Sequence, residues 1–473
     1  MSDPAAASSS PPAQSFWLSV KQALRGEQHD YTALPLNRAV LLLAVPMILE
    51  MLMESLFTVV DIFWVARLGR DAIAVVGLTE SVMSLIYAVA IGISFAATAI
   101  VSRRIGEKNP ALAAQAAGQI FVLGITLSSA IGLVFGWFAG DILRLMGADE
   151  AVVAQGTGYA RVMLGGNATV FLIFVFNAIF RGAGDATLAM RTLILANGIN
   201  LVLDPCFIFG WGPFPEMGVT GAAVATNIGR GIGVLYQLWH LTGKPSHVRL
   251  HWSDLRPRVE SLLVIIRTSG NGIAQMLIAT TSWVGLFKIL SVFGSPVVAG
   301  YTIAIRVVVF ALMPAWGLAN AGSTLVGQNL GASQPDRAAA AVKIAAKFNA
   351  VLLGAVGLIF IVFARPIVGL FTQDPEVFAH GVRALWIVSL AFPLYAIGMC
   401  LEGAFNGSGD TATPTRLNFF CFWCGQVPLA WLLAKPLGLG PLGVYIAVPV
   451  SFTVLTLWSG VLFRRGKWKQ KRI

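Results

Sequence analysis

The stretch FRGAGDATLAMR, residues 180–191, decides the fold, because it returns in altered form as FNGSGDTATPTR, residues 405–416. The same numbering offset (405 − 180 = 225), without a gap, relates VSRRIGEKNP, which begins at Val101, to VGQNLGASQP, which begins at Val326. We call it the repeat offset. Since one offset serves motifs this far apart, we infer that the chain consists of two copies of one structural unit.

The composition places both copies in a membrane. Of the 473 residues, 56% are hydrophobic and only 12% are charged, and the mean hydropathy is +0.76. Apolar runs such as VLLGAVGLIFIVF recur along the chain, and a helix of roughly 20 apolar residues spans a bilayer. The sequence therefore predicts an all-α polytopic membrane protein.

Glycines, prolines and charged residues divide the chain into about twelve predicted transmembrane helices. These are 38–66, 72–100, 114–139, 153–179, 192–210, 218–241, 260–293, 297–325, 345–365, 378–404, 417–435 and 442–463. Because six is even, two six-helix lobes enter from the same side, related by a pseudo-two-fold axis along the membrane normal. The predicted divisions are a disordered or interfacial tail (1–37), an N-lobe (38–242), a cytoplasmic linker (243–259), a C-lobe (260–463) and a basic cytoplasmic tail (464–473).

The basic residues of this chain, whose net charge is +11, collect on one side of the predicted spans. That side holds Lys21, Arg25, Arg38, Arg103, Arg104, Lys108, Arg181, Arg191, Lys244, Arg249, Arg256, Arg258, Arg337, Lys343, Arg416 and the segment RRGKWKQKR. Because cytoplasmic loops carry an excess of Lys and Arg, both termini are predicted to be cytoplasmic and the protein to reside in the cell (inner) membrane. The basic residues form no stripe with interleaved aromatics, so no nucleic-acid partner is expected.

The four cysteines give no sign of a cofactor. Cys206, Cys400, Cys421 and Cys424 all lie inside apolar segments. The CxxC formed by the last two has no second ligand pair, so we interpret all four as packing residues. No metal or cofactor is expected.

The stretch MILEMLMESLFTVVDIFW, residues 47–64, carries three carboxylates within an apolar span. A charge at the bilayer centre costs at least about 2.5–3.5 kcal/mol, yet Glu50, Glu54 and Asp61 fall within about 40° of one another on a helical projection. Neighbouring spans add oxygen-bearing side chains with compatible spacing: Tyr159, Asn177, Asn200, Asp204 and Thr226. Two close carboxylates favour protonation of one of them, so the group suits a proton or a small hard cation. The alternative is that these polar groups only hold helices together.

The repeat provides an internal control for the acids. At the repeat offset, Glu50, Glu54 and Asp61 correspond to Gln275, Ala279 and Leu286, while Asn200 and Asp204 correspond to Gly425 and Leu429. The second copy kept the turn motifs but lost the acids. This asymmetry predicts a cation site in the N-lobe alone, with Glu50 near the water at the cavity mouth.

Three further positions have competing interpretations. Lys288 either extends its ammonium to the membrane surface or pairs with an acid across the cleft, and Arg306 and Arg161 are treated alike. Glu402 matches Asn177 in the repeat and is a candidate gating or coupling acid of the C-lobe. Pro46 is a candidate bending point of the first helix.

The segment LAVPMILEMLMESLFTVVDIFWVARLG resembles the first helix of multidrug and toxic compound extrusion (MATE) transporters. FRGAGDATLAM, NLVLDPCFIFGWG and GVTGAAVATNIGRG are similar to the family's fourth to sixth helices. The resemblance, which runs from about Arg38 on, implies efflux of amphipathic, often cationic compounds in exchange for protons or sodium.

The resemblance also implies the residues of an ion-coupling network. In the DinF-like branch the matching positions are Asp61, Tyr159, Asn177, Asn200, Asp204 and Thr226. Glu54 stands where that branch often has a neutral polar residue, and we treat it as a modulator. The positions that match the acids of the NorM-like branch hold Ala279 and Tyr395, which disfavours a site of that type.

The resulting hypothesis is a cation-coupled antiporter, preferably driven by protons, that acts as a monomer on small amphipathic substrates within the lipid bilayer. One alternative is a flippase for lipid-linked precursors, which would need basic residues in its cavity. Another is a membrane-embedded enzyme such as a prenyl transferase, which would need an aspartate-rich motif like DDxxD; the sequence lacks one.

Overall fold

The computed structural model describes residues 16–27, 29–243 and 248–473. Residues 1–15 and 28 of the predicted disordered or interfacial tail (1–37) and residues 244–247 of the predicted linker lie outside the described residues. The described chain contains no strand, and its α-helices are α1 (Phe16–Arg25), α2 (Leu36–Val65), α3 (Arg70–Gly106), α4 (Pro110–Trp137), α5 (Ala139–Leu145), α6 (Glu150–Gly165), α7 (Ala168–Ala183), α8 (Ala186–Phe209), α9 (Val219–Thr242), α10 (Val259–Leu290), α11 (Ser295–Gly331), α12 (Pro335–Gly369), α13 (Pro375–Ser389), α14 (Phe392–Ser408), α15 (Ala412–Asn418), α16 (Val427–Ala434) and α17 (Pro441–Arg464).

The helices confirm the predicted polytopic all-α fold. Ten helical segments in the described chain are long and apolar enough to cross a membrane, and the bent pair α13–α14 makes an eleventh. The remaining long helix is α9, which corresponds to the predicted span 218–241. It is not among these segments, and the polar residues Asn227 and Arg230 lie in its middle. Each of the twelve predicted spans thus has a helical counterpart.

Two predicted spans are broken rather than continuous, and the breaks occupy equivalent places in the two copies. The fourth span divides into α6 and α7 at Gly166-Asn167, and the tenth divides into α13 and α14 at Leu390-Ala391. The second pair is bent by 56°, next to Pro393, which lacks an N–H for the helical ladder. The eleventh span also changes form, because a π-helical segment, Phe419–Gln426, joins α15 to α16.

The first helix of each lobe crosses to the other lobe. The first half of α2 packs in the hydrophobic core of the C-lobe, whereas its last residue, Val65, belongs to the core of the N-lobe. Conversely, α10 begins in the N-lobe core with Ile265 and ends in the C-lobe core with Leu290. The lobes are therefore held together by an exchange of helices, as well as by surface contact.

Glycines allow the helices to cross closely, and these glycines occupy equivalent positions in the two copies. A Cβ at Gly92 of α3 would overlap the backbone of Ile273 in α10. The equivalent Cβ, at Gly317 of α11, would lie 2.7 Å from the carbonyl oxygen of Met47 in α2. Gly92 and Gly317 are related by the repeat offset, so the pseudo-two-fold relation predicted from the sequence holds at the level of single contacts.

The lobes also touch where α3 and α11 end. A Cβ at Gly106 would overlap the carbonyl of Gln328, and one at Gly331 would overlap the carbonyl of Arg103. Each of these pairs again joins positions that exchange under the repeat offset. We call this end of the molecule, where Arg103, Arg104 and Arg337 also lie, the basic end.

Residues 29–34, which precede α2, bridge the two lobes at the basic end; we call them the first clasp. The Tyr31 hydroxyl donates to the carbonyl of Gly184 in the N-lobe (3.2 Å), and Arg337 of the C-lobe donates to the carbonyl of Tyr31 (3.2 Å). Asp30 pairs with Lys108 at 3.4 Å. Hydrogen bonds from Thr32 lower the pKa of Asp30, so this ion pair persists at neutral pH.

Residues 465–473 form a second clasp, in which the roles of the two lobes are exchanged. The Ile473 side chain packs against Gly409 of the C-lobe, and Lys471 lies 3.4 Å from the Asp410 carboxylate. Arg103 of the N-lobe donates to the carbonyl of Lys471 (2.8 Å), and Arg104 donates to that of Ile473 (3.0 Å). The turn GAGD of the N-lobe thus contacts the first clasp, which is bonded to an arginine of the C-lobe. The turn GSGD of the C-lobe contacts the second clasp, which is bonded to arginines of the N-lobe.

Candidate functional site

The predicted carboxylate stripe of α2 lies against the N-lobe at three successive levels. Glu50 and Asp61 are buried, with exposed fractions of 1% and 7%, and the side chain of Glu54 is 20% exposed. At 1.5 Å per residue, Glu54 lies about 6 Å beyond Glu50 along the helix, and Asp61 about 10 Å beyond Glu54. Each level has different partners.

At the first level, Glu50 forms a buried ion pair with Arg181 of α7, at 2.5 Å. Asn177 interacts with the same carboxylate and accepts a hydrogen bond from Gln237 (2.6 Å). The expectation that Glu50 is near water was wrong, and Arg181, predicted to lie beyond the end of the fourth span at residue 179, is a buried residue of α7. The two charges compensate each other, so both can leave water.

At the second level, Glu54 accepts two hydrogen bonds from Arg230 of α9, at 2.7 and 3.3 Å. The Arg230 guanidinium also lies over the Phe57 ring, 4.5 Å from its centroid, a cation–π arrangement. Sequence reasoning missed Arg230, although it falls one turn after Thr226 and seven residues before Gln237. That spacing places all three on one face of α9.

At the third level, Asp61 is brought near Asp204 of α8, and the two carboxylates interact electrostatically. The amide of Asn200 donates to Asp204 (2.9 Å) and lies 3.4 Å from the Thr226 hydroxyl. Tyr159 is buried within electrostatic range of both aspartates. Five of the six predicted site residues therefore share one level, and Asn177 belongs to the first.

The charges at the three levels do not cancel. Glu50 and Glu54 each have an arginine partner, whereas no ion pair in the described chain includes Asp61 or Asp204. The cation that interacts electrostatically with Asp61 is Arg230, which is already bonded to Glu54. The second carboxylate oxygen of Asp204 is buried and has no hydrogen-bond partner among the described residues. Such a pair can be neutralised by a proton or a bound cation.

One further acid, Glu80, lies close to the third level. Glu80 of α3 and Arg306 of α11 are exposed and interact electrostatically between the two lobes, without forming an ion pair among those described. Glu80 also interacts with Asp61. Sequence reasoning did not single out Glu80, although its position in an apolar helix was a signal of the same kind as Asp61.

The remaining predicted residues are less connected. Lys288 is exposed and enters no ion pair of the described chain, so the alternative in which it pairs with an acid of the other lobe is not observed. Glu402 has one buried carboxylate oxygen without a partner among the described residues and lies near Tyr395 and Cys421. Pro46 is buried within α2, which continues through it as a helix. No cluster of three or more His, Cys, Asp or Glu side chains suited to a metal occurs in the described chain.

A duplicated, all-helical membrane protein with buried intramembrane carboxylates has the architecture of a secondary transporter. The MatE family model matches residues 46–206 and 272–432, once in each repeat. The chain belongs to the MatE family of transporters.

Individual relatives match nearly the whole chain. It is 27% identical to the probable multidrug resistance protein YoeA of Bacillus subtilis, covering 92% of this chain and 95% of YoeA. It is 28% identical to the probable multidrug resistance protein NorM of Thermotoga maritima, covering 93% and 94%. A solved structure described as the outward-facing conformation of a multidrug resistance MATE family transporter superposes with a TM-score of 0.86 at 27% identity, covering 93% and 100%.

Proposed function

We propose that the protein is a cation-coupled antiporter that exports amphipathic, cationic drugs or toxic compounds, and that Asp61 and Asp204 bind the coupling ion. The observation that carries this proposal is the charge imbalance in the N-lobe. Two of the four buried or partly buried acids have arginine partners, and the two aspartates have none among the described residues. An uncompensated carboxylate pair within a membrane is maintained only when it performs a task that needs charge.

The coupling ion is proposed to be a proton. A carboxylate pair that shares one proton needs no further ligands, whereas sodium needs several oxygen ligands in a defined geometry. Asn200 points its amide donor, rather than its carbonyl oxygen, at Asp204, which stabilises an ionised carboxylate waiting for a proton. Thr226 and Tyr159 would tune how readily that proton binds. Sodium remains the alternative ion.

Protonation would act on α2. Because Pro46 has no N–H, the carbonyl of Leu42 lacks its helical hydrogen bond, and α2 bends there at low cost. Neutralising Asp61 removes its attraction to Arg230 and its repulsion from Glu80 and Asp204. The helix could then repack against α8 and α9 and reduce the space available to the substrate.

The substrate is proposed to bind between the lobes at Glu80, which interacts electrostatically with Arg306 of the other lobe. An exposed carboxylate within an apolar helix selects amphipathic cations over anions, and a proton that enters at Asp61 competes electrostatically with such a cation. The names of the relatives, which refer to multidrug resistance, support this assignment. A flippase for anionic pyrophosphates is not favoured, because Glu80 would repel its substrate.

The orientation follows from the distribution of charge. The basic end is proposed to face the cytoplasm of the cell (inner) membrane, with the protein acting as a monomer. In that orientation the contact between α3 and α11 closes the cytoplasmic side.

The test is transport by the purified protein in vesicles, with a pH gradient and a sodium gradient imposed separately. We expect the pH gradient to drive uptake of a fluorescent cationic drug, and Asp61→Asn to lose this response by at least about tenfold. Asp71→Asn is the matched control, because it makes the same chemical change at an exposed position at the start of α3. Equal transport by Asp61→Asn and the parent would refute the proposed site. Transport driven by the sodium gradient alone would show that the coupling ion is sodium rather than a proton, and would leave the proposed site unchanged.

A further inference from the structure

We propose that a groove of the C-lobe, formed by α12, α14 and α17 near the basic end, binds an anionic phospholipid. The groove has a volume of about 830 Å³ and is lined by residues between Ala339 and Lys469. It therefore belongs to the C-lobe alone and is separate from the ion site in the N-lobe. The proposal does not depend on the transported substrate or on the coupling ion.

The rim of the groove is basic. Lys343 and Lys347 of α12, Arg464 of α17 and Lys469 line it. Lys343 and Lys347 are four residues apart on a helix, so both ammonium groups point the same way. Lys469 is paired with Asp336 at 2.8 Å. The other three are exposed and enter no ion pair among the described residues, so their charge is available to a phosphate.

The interior of the groove is apolar and is kept open by small side chains. Ala346 and Gly460 lie at its floor, and Leu401 and Phe463 contribute apolar surface. From Lys343 the groove follows α12 as far as Val351, about 12 Å at 1.5 Å per residue. An acyl chain that lies along this direction would place its phosphate at the basic rim. Basic pockets between transmembrane helices at the cytoplasmic side bind anionic headgroups in this manner.

The repeat again provides a control. At the equivalent N-lobe positions, Lys343, Lys347 and Arg464 are replaced by Gly118, Val122 and Trp239, respectively. The floor residues Ala346 and Gly460 become Phe121 and Leu235. The N-lobe thus holds neutral residues at these three rim positions and bulky residues at the floor, whereas the fourth rim residue, Lys469, matches Lys244. Because the shared fold does not require either the open floor or the basic rim, both call for another explanation, and a bound anionic lipid supplies one.

The experiment measures lipid binding to the purified full chain by native mass spectrometry, with titration of phosphatidylglycerol and, separately, of phosphatidylcholine. We expect a clear preference for phosphatidylglycerol. The variant Lys343→Gln/Lys347→Gln/Arg464→Gln should lose about a hundredfold in affinity for the anionic lipid and little for the zwitterionic one. Its control is Arg465→Gln/Lys467→Gln/Arg472→Gln, which removes three exposed charges outside the groove and should bind like the parent.

A second variant tests the apolar part. Gly460→Leu introduces the residue that the N-lobe holds at this position, and a Cβ there meets only Leu401, at 4.0 Å, so folding should be preserved. It should weaken phosphatidylglycerol binding without changing the charge. Equal lipid binding by the groove variant and its control would overturn the proposal. Displacement of the lipid by millimolar inorganic phosphate would also overturn it, because the site would then recognise a free anion.

Discussion

The guanidinium of Arg230 donates two hydrogen bonds to the Glu54 carboxylate, at 2.7 and 3.3 Å, and thereby leaves Asp61, two turns further along α2, without a cation of its own. Arg230 is almost fully buried and remains within electrostatic range of Asp61. The ion pair between Arg230 and Glu54 therefore controls how readily Asp61 gives up its proton.

Changes at this pair should move the pH dependence of transport in opposite directions. In Glu54→Gln, the freed charge of Arg230 stabilises ionised Asp61, so the site takes up its proton only at lower pH. In Arg230→Gln, the unpaired Glu54 carboxylate repels ionised Asp61, so the profile moves to higher pH. We expect shifts of about one pH unit, measured as the pH of half-maximal drug uptake into vesicles.

The double variant Glu54→Gln/Arg230→Gln is the control for both. It removes the two charges together and should restore a profile close to that of the parent. Shifts of the two single variants in the same direction would show that Arg230 does not act on Asp61.

The ion pair of Glu50 and Arg181 should behave as a structural element. Its members are 1% and 8% exposed, so Glu50→Gln or Arg181→Gln leaves a buried charge without a partner, at a cost of about 3–5 kcal/mol. Both single variants should lower the thermal stability of the purified protein, followed by tryptophan fluorescence. Glu50→Gln/Arg181→Gln should recover most of the loss. Additive losses in the double variant would contradict an interaction between the two.

The crossing of α3 and α10 predicts a contrast between two glycines of the same helix. A Cβ at Gly92 would overlap the backbone of Ile273, whereas one at Gly77 would meet nothing within 4 Å. Gly92→Ala should therefore destabilise the protein by about 1–3 kcal/mol, and Gly77→Ala should be neutral or stabilise by up to about 1 kcal/mol. Thermal denaturation of the two variants side by side tests this, and equal stability would count against the observed crossing.

The second clasp predicts that Arg103 holds the basic end closed. Arg103 of the N-lobe donates to two carbonyls across the contact, those of Ser408 in α14 (3.3 Å) and Lys471 in the second clasp (2.8 Å). Arg103→Ala should raise the population of molecules open at this end by about tenfold or more, because hydrogen bonds from a charged donor contribute roughly 1.5–3 kcal/mol each.

Distances between spin labels at Ala111 and Gln334, exposed positions in the two lobes, would report this opening. Arg416→Ala is the control, since Arg416 is exposed at the end of α15. An unchanged distance distribution in Arg103→Ala would mean that the clasp does not limit opening.

Much of the fold could be predicted because a single offset without gaps relates the two copies in the sequence. The repeat offset identified two lobes, and the contacts of Gly92 and Gly317 obey it. The breaks at Gly166-Asn167 and Leu390-Ala391 could not be predicted from apolar periodicity, since the hydrophobic pattern continues across them. The crossing of α2 and α10 between lobes is a tertiary property without a local signal.

The candidate site was predicted in part. Spacing on one helix placed Asp61 on the stripe, and helix faces placed Asn200 with Asp204. Spacing could not tell which acids would meet an arginine, because Arg181 and Arg230 come from other helices. Arg181 was interpreted as a loop charge because it lies at a helix end, yet the fold turns it inward to Glu50.

The central claim is that Asp61 and Asp204 bind the coupling proton, and proton release on substrate binding tests it most directly. The purified protein would be placed in weakly buffered solution, and the pH change on addition of a cationic drug would be followed with an indicator dye. The account predicts that the parent and Asp71→Asn release protons, whereas Asp61→Asn and Asp204→Asn release at most about a tenth as many. Proton release by Asp61→Asn and Asp204→Asn equal to that of the parent would contradict it.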